Sequence, residues 1–294
     1  MHLFRTISPK TLLAVGLALL AALLFAGASV LQQRAASSES AEEVRGVGLI
    51  ARLIRRPMWL AGGGADVGGF VAQAAALGFG SLLVVQPLLA TTLLFALPLE
   101  AKWNARRVSG REIAWALVLA AGLAIFLGVA HPSAGIGRAA RGDWVVPLAI
   151  VGVPTVVLAL WGMRSRPTGK AVCFGIASGA LFGVMSALTK SAVSEFGGGI
   201  GGVLTSWEPY GVALAAVLGL ILQQSAYQAG GLAFSLPAIA VFEPLVASLL
   251  GVSVLGEVLH VGSIGWTLVG VSCVGIVASL VALPRAAART ARIS

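Results

Sequence analysis

Nine stretches of roughly 20 mostly apolar residues follow one another along this chain, and they constrain its fold more than any other feature. They run Thr11–Gln32, Met58–Leu77, Ser81–Leu99, Glu112–Ala130, Trp144–Trp161, Ala171–Val193, Tyr210–Gln228, Leu232–Leu255 and Val261–Leu283. A helix needs about 20 such residues to cross the hydrocarbon core of a bilayer. Two of the boundaries, near Gly78–Gly80 and Ala229–Gly231, are tight hairpins with almost no polar linker. Merging either pair would give a run of roughly 40 residues, too long for one crossing at about 1.5 Å per residue. Nine crossings are the expectation, and ten the alternative. Composition fits lipid as solvent: 58% of residues are hydrophobic and 11% charged, against about 25% charged in soluble domains.

The net charge of +9 does not imply a nucleic-acid partner. The basic residues lie in short clusters between apolar runs, and with nine crossings fifteen fall on one side against four on the other. The positive-inside rule then places the N-terminus outside and the C-terminal tail in the cytoplasm. The first span follows Arg5 and Lys10 but exceeds a signal peptide's apolar core and lacks a clear cleavage site, so it is expected to be retained. Segment 44–57, with Leu49, Ile50, Leu53 and Ile54 among basic residues, fits either a short interfacial helix or a run-in to the second span. Pro57 favours a break there.

The chain contains an internal repeat. Leu24-Phe25-Ala26-Gly27-Ala28-Ser29-Val30-Leu31 returns as Leu181-Phe182-Gly183-Val184-Met185-Ser186-Ala187-Leu188, and Gln86-Pro87-Leu88 as Glu243-Pro244-Leu245, at one offset of 157 residues. Trp115 and Trp266 mark a third correspondence, each between a pair of glycines. The copies begin five crossings apart, so they are expected to be inverted in the membrane, as in many secondary transporters. The expected architecture is an all-α polytopic membrane protein with an inverted 4+1+4 repeat. Residues 1–143 form the first four-helix unit, 144–170 a linking helix and loop, and 171–294 the second unit and tail.

Charges at the bilayer centre cost roughly 2.5–3.5 kcal/mol on insertion scales, which singles out Asp66, Lys190 and Glu243. Glu243 is near the middle of its span and precedes a helix-kinking proline, and Gln86-Pro87 is placed the same way. Pathway roles are expected for Glu243, Asp66 and Gln86, with Pro87 and Pro244 as hinges. Gln73, Gln224 and Gln228 either line a polar path or make interhelical hydrogen bonds. Lys190 has three open readings: a pathway residue, an ion-pair partner of Glu243, or a side chain snorkelling to the interface. Gly175, Gly179 and Gly183 recur every fourth residue and point to close helix packing. His2, His131 and His260, the two cysteines and the absence of nucleotide-binding or hydrolase motifs give no sign of an enzyme, a cofactor or ATP use.

Phe25-x-x-x-Ser29, Pro57-Met58-Trp59-Leu60, Val85-Gln86-Pro87-Leu88, Ser186-x-x-Thr189-Lys190 and Glu243-Pro244-Leu245 resemble the drug/metabolite transporter superfamily. The likeness is to its EamA-type members and the nine-span branch with the NIPA-like magnesium transporters, and it covers residues 11 to 283. It implies an inverted-repeat carrier in the cell membrane, moving a small solute or a divalent cation. Ser29 and Ser186 join the candidate pathway on this basis. Whether a metal binds is open, as is the choice between a single copy and a homodimer. A magnesium permease and a non-transporting scaffold subunit are the other readings.

Overall fold

A computed structural model describes residues 9–38, 47–105, 107–129, 131–132, 135–195, 205–230 and 232–290. His2, Arg5, Arg106, Gly231, Arg292 and the first three residues of segment 44–57 lie outside the described residues.

The described chain is almost entirely helical. In order, the helices are α1 (Pro9–Ser37), α2 (Val47–Leu53), α3 (Pro57–Phe79), α4 (Leu82–Leu89), α5 (Thr92–Trp103) and α6 (Gly110–Val129). They continue as α7 (Arg141–Arg164), α8 (Pro167–Ser194), α9 (Glu208–Gly230), α10 (Leu232–Ser253) and α11 (Ser263–Thr290). Two short strands, β1 (His131–Pro132) and β2 (Leu259–His260), pair antiparallel with His131 opposite His260. Among the described residues, eight helical stretches are long and apolar enough to cross a membrane, with α4 and α5 counted together. Helix α3 is 23 residues long, but six glycines, Asp66 and Gln73 dilute its apolar character. The protein is thus an all-α polytopic membrane protein.

Prolines set several boundaries. Pro57 and Pro167 occupy the first turns of α3 and α8, where a missing N–H costs nothing because no intrahelical acceptor is waiting. Pro57 also separates α3 from α2, as expected. The two X-Pro sites differ, however. The stretch holding Gln86-Pro87 breaks into α4 and α5 after Leu89, with Thr91 Oγ1 donating to the Leu88 carbonyl at 2.6 Å. Pro244, by contrast, lies inside one continuous helix, α10, which also holds Pro237. Only the first of the two expected hinges interrupts its helix.

Helix α1 packs along α3 and against α5, α8 packs along α9 and α10, and α6 packs along α11. Helix α7 lies on the outside, mainly against α8, and Trp144 and Trp207 meet edge to face with ring centroids 5.7 Å apart. The α8–α10 seam confirms the glycine reading. A methyl on Gly175, Gly179 or Gly183 would come within 2.9, 2.8 and 2.7 Å of the carbonyl oxygens of Ser235, Ile239 and Glu243. In the amphipathic segment, Leu49 and Leu53 are fully buried, α2 touches α9, and Ile54 is exposed.

Candidate functional site

A cavity of about 670 Å³ lies inside the bundle, walled by α1, α3, the α4–α5 break, α8, α9 and α10. Its shape follows from where glycine lets helices approach. On α3, Gly62 and Gly69 flank Asp66 on one face, at spacings of four and three residues. A Cβ on Gly62 would stand 2.9 Å from Gln32 Cγ, and one on Gly69 would stand 2.7 Å from the Phe25 ring. Those two contacts bring α1 against α3 and aim Asp66 at it. Gln32 Nε2 donates to Asp66 Oδ2 at 2.6 Å, and Gln224 Nε2 donates to Gln32 Oε1 at 2.5 Å.

Glu243 enters from the opposite side. Its backbone is pinned to α8 by Gly179 and Gly183, and its side chain lines the cavity with Leu236, Ile239, Ala240 and Pro244. It has no hydrogen-bond or ion-pair partner among the described residues, yet Asp66 is near enough for the two carboxylate charges to interact. Phe25, Trp59, Phe70, Phe182 and Met185 supply much of the apolar wall, to which no Lys, Arg or His contributes among the described residues.

Besides the Gln224–Gln32 bond, two further polar contacts near the cavity tie the first-half helices to the second. Gln73 Nε2 donates to Ser186 Oγ at 2.8 Å. The Tyr227 hydroxyl is hydrogen-bonded to Ser29 and accepts from Gln223 Nε2 at 3.2 Å. The carbonyl oxygens of Gln73 and Gln223 are left buried with no donor, as is the Trp59 indole N–H with no acceptor.

Of the residues singled out from sequence, Glu243, Asp66, Gln73, Ser29 and Pro244 line the cavity. Ser186 and Gln224 stand one hydrogen bond behind its wall, through Gln73 and Gln32. Gln86, Pro87 and Lys190 are not part of the wall. Gln86 is fully buried with neither amide atom paired.

Lys190 pairs with Glu257, not Glu243, and at 6% exposure it does not snorkel. The reason is axial distance. Glu243 packs at the level of Gly183, and Lys190 is seven residues further along α8, about 10 Å at 1.5 Å per residue. Beyond α10, a turn through Gly256 (φ +63) instead swings Glu257 back over the helix ends. Its oxygens accept from the Leu82 and Leu83 amides at 2.8 and 3.0 Å, capping α4, while Lys190 Nζ donates to Oε1. Gly135 (φ +62) allows the α6–α7 loop to pass this turn, where a Cβ would stand 2.2 Å from the Leu255 carbonyl oxygen. Nearby on that end, Arg138 bridges Glu208 at 2.9 Å and Glu195 at 3.1 Å. The hydrogen bond to Glu208, with both carboxylate charges, holds its guanidinium above even its usual high range.

Glu257, Tyr227 and the aromatic wall were not singled out from sequence. Glu257 stands just beyond an apolar run, where a loop charge and a buried cap look alike. The repeat did contain a signal for the wall, because Phe25 and Phe182 correspond within it. Each covers a glycine on the adjoining helix, Gly69 and Gly219, with 2.7 Å to an added Cβ in both cases.

No family model matches the sequence. No solved structure matches it either. An uncharacterized protein of Corynebacterium glutamicum is 37% identical over 279 residues, covering 94% of this chain and 96% of that protein.

Proposed function

We propose that this chain, which belongs to one family with the Corynebacterium glutamicum protein, is a secondary transporter of the drug/metabolite type. It moves a small solute across the cytoplasmic membrane by alternating access. In this reading α3 is a ninth crossing, and α1 to α6 and α8 to α11 are inverted copies joined by α7. Corresponding contacts support the repeat: α1 on α3 matches α8 on α9, and Phe25 over Gly69 matches Phe182 over Gly219. The Gln73–Ser186 and Tyr227–Ser29 bonds cross between the copies in opposite directions. Arg34, Arg52, Arg55, Arg56, Arg164, Arg166 and Arg285 all fall at the cytoplasmic ends in this arrangement, as the positive-inside rule requires.

The observation that carries the reading is one cavity walled by helices of both copies and holding Asp66 and Glu243. Ionisable side chains at membrane depth mark substrate or ion pathways. Relative movement of the copies exposes such a site first to one side and then to the other. The two carboxylates also favour a second reading, a magnesium permease, because Mg²⁺ keeps most of its water and needs only one or two carboxylates. The test is flux into proteoliposomes of the purified protein, with metabolites and Mg²⁺ assayed in parallel and Glu243→Gln as the comparison. Solute flux lowered at least tenfold by the variant supports the carrier. Mg²⁺ flux alone selects the permease, and no difference between the two proteins for any compound sinks both.

A further inference from the structure

From the donors and acceptors facing the cavity, we infer that its ligand is a protonated amine carried on an apolar, aromatic-sized body. This rests on reading the cavity as the substrate site, and it narrows the substrate to a chemical class.

The cavity presents acceptors in excess. Among the described residues Glu243 has no partner, and Asp66 has one donor, Gln32, on a single oxygen. A buried acceptor without a donor is costly, and a buried carboxylate more so. A ligand N⁺–H group supplies both the missing donor and the missing charge.

The rest of the wall excludes the other charge types. Among the described residues no Lys, Arg or His lines the cavity, so an anion would meet two carboxylates and none of the described cations. A zwitterion such as an amino acid would bury its own carboxylate beside them. Phe25, Trp59, Phe70 and Phe182 favour a cation over ring faces as well as an apolar body against them. A volume of about 670 Å³ falls within the roughly 300–1,000 Å³ typical of sites for drug-sized organic molecules.

Four indole compounds of similar size separate the possibilities: tryptamine (cation), tryptophan (zwitterion), indoleacetate (anion) and tryptophol (neutral). Binding is measured by calorimetry on the full chain in nanodiscs, with empty nanodiscs subtracted and MgCl₂ as a fifth titrant. Tryptamine is expected to bind at least tenfold more tightly than the other three, and to weaken at least tenfold in Glu243→Gln. That factor is what one charge-assisted hydrogen bond supplies.

Should Glu243→Gln fail to fold, protection of Ala213→Cys from N-ethylmaleimide gives a second reading with both carboxylates intact. Ala213 lines the cavity, and Cys173 and Cys273 are first replaced by serine. Tryptamine should protect, and tryptophol should not at the same concentration. Indoleacetate or tryptophan binding as tightly as tryptamine overturns the inference. So does binding of none of the four, or tryptamine binding unchanged in Glu243→Gln. Amine binding without any flux leaves this inference standing and removes the transport reading. Mg²⁺ flux without amine binding does the reverse.

Discussion

Replacing Glu257 with alanine removes three interactions at once. The carboxylate accepts the first two amides of α4 and faces the Lys190 ammonium, with Glu257 fully buried and Lys190 6% exposed. Breaking a buried pair by removing one partner typically costs about 3–5 kcal/mol, because the remaining charge stays in a low dielectric. The loss of the helix cap falls within that figure and is not added to it. Lys190→Met should cost less, roughly 2 kcal/mol, because the carboxylate keeps two amide donors and the favourable end of the α4 dipole. The double variant Lys190→Met/Glu257→Gln removes both charges and leaves a side-chain oxygen for an α4 amide, so it should lie within about 1 kcal/mol of wild type. Thermal unfolding in detergent, followed by tryptophan fluorescence, reads these differences at about 2–4 °C per kcal/mol for a protein near this size. Glu257→Ala should therefore melt at least about 6 °C below wild type, with Lys190→Met between them and the double variant near the top. A Glu257→Ala protein melting within about 2 °C of wild type would refute the reasoning. So would a double variant as unstable as both single changes combined.

Three further outcomes follow from the packing and the proposed topology. Gly179→Ala places a methyl 2.8 Å from the Ile239 carbonyl oxygen, a backbone atom that cannot rotate away, and should destabilise by about 1–3 kcal/mol; Gly63→Ala, with nothing within 4 Å, should stabilise by about 0.5–1 kcal/mol. Melting curves of the two proteins check the opposite signs. Gln86→Leu removes a buried amide with neither atom paired and should raise stability by about 1–3 kcal/mol; a lower melting temperature contradicts this. In a background with Cys173 and Cys273 replaced, Thr168→Cys should react with membrane-impermeant maleimide only after cells are opened, and Val258→Cys in intact cells; the reverse pattern inverts the proposed orientation.

The helices were legible because lipid imposes a simple rule on sequence: about 20 apolar residues per crossing. Eight of the nine apolar stretches coincide with helices long and apolar enough to cross among the described residues, α3 being the exception. What that rule cannot show is which polar residues meet. Asp66 and Glu243 stood out because a charge in a long apolar run is rare, and both line the cavity. Lys190 stood out for the same reason, but its partner Glu257 lies beyond the end of α10, at a turn made by Gly256 that hydropathy does not register. The X-Pro pair was only half readable. Proline removes the same N–H at 87 and 244, yet α10 continues through its proline, packed against the α8 glycines, while the first-half helix breaks. The apolar stripe of α2 was visible, but whether it faced lipid or protein depended on α9, far away in the chain.

The glycine seam has a mechanical consequence. Residues 157 before Gly175, Gly179 and Gly183 are Ala18, Ala22 and Ala26, all fully buried. The second half therefore joins its helices backbone to backbone, while α1 carries a methyl at each matching position and faces a neighbour already broken between Leu89 and Thr92. In the proposed inverted repeat, the two copies would thus differ in how closely their helices meet. In a transport cycle built on this frame, α8 and α10 serve as the fixed strut. The yielding arm of the proposed cycle would be the first half, where the α4–α5 joint sits directly on the cavity wall.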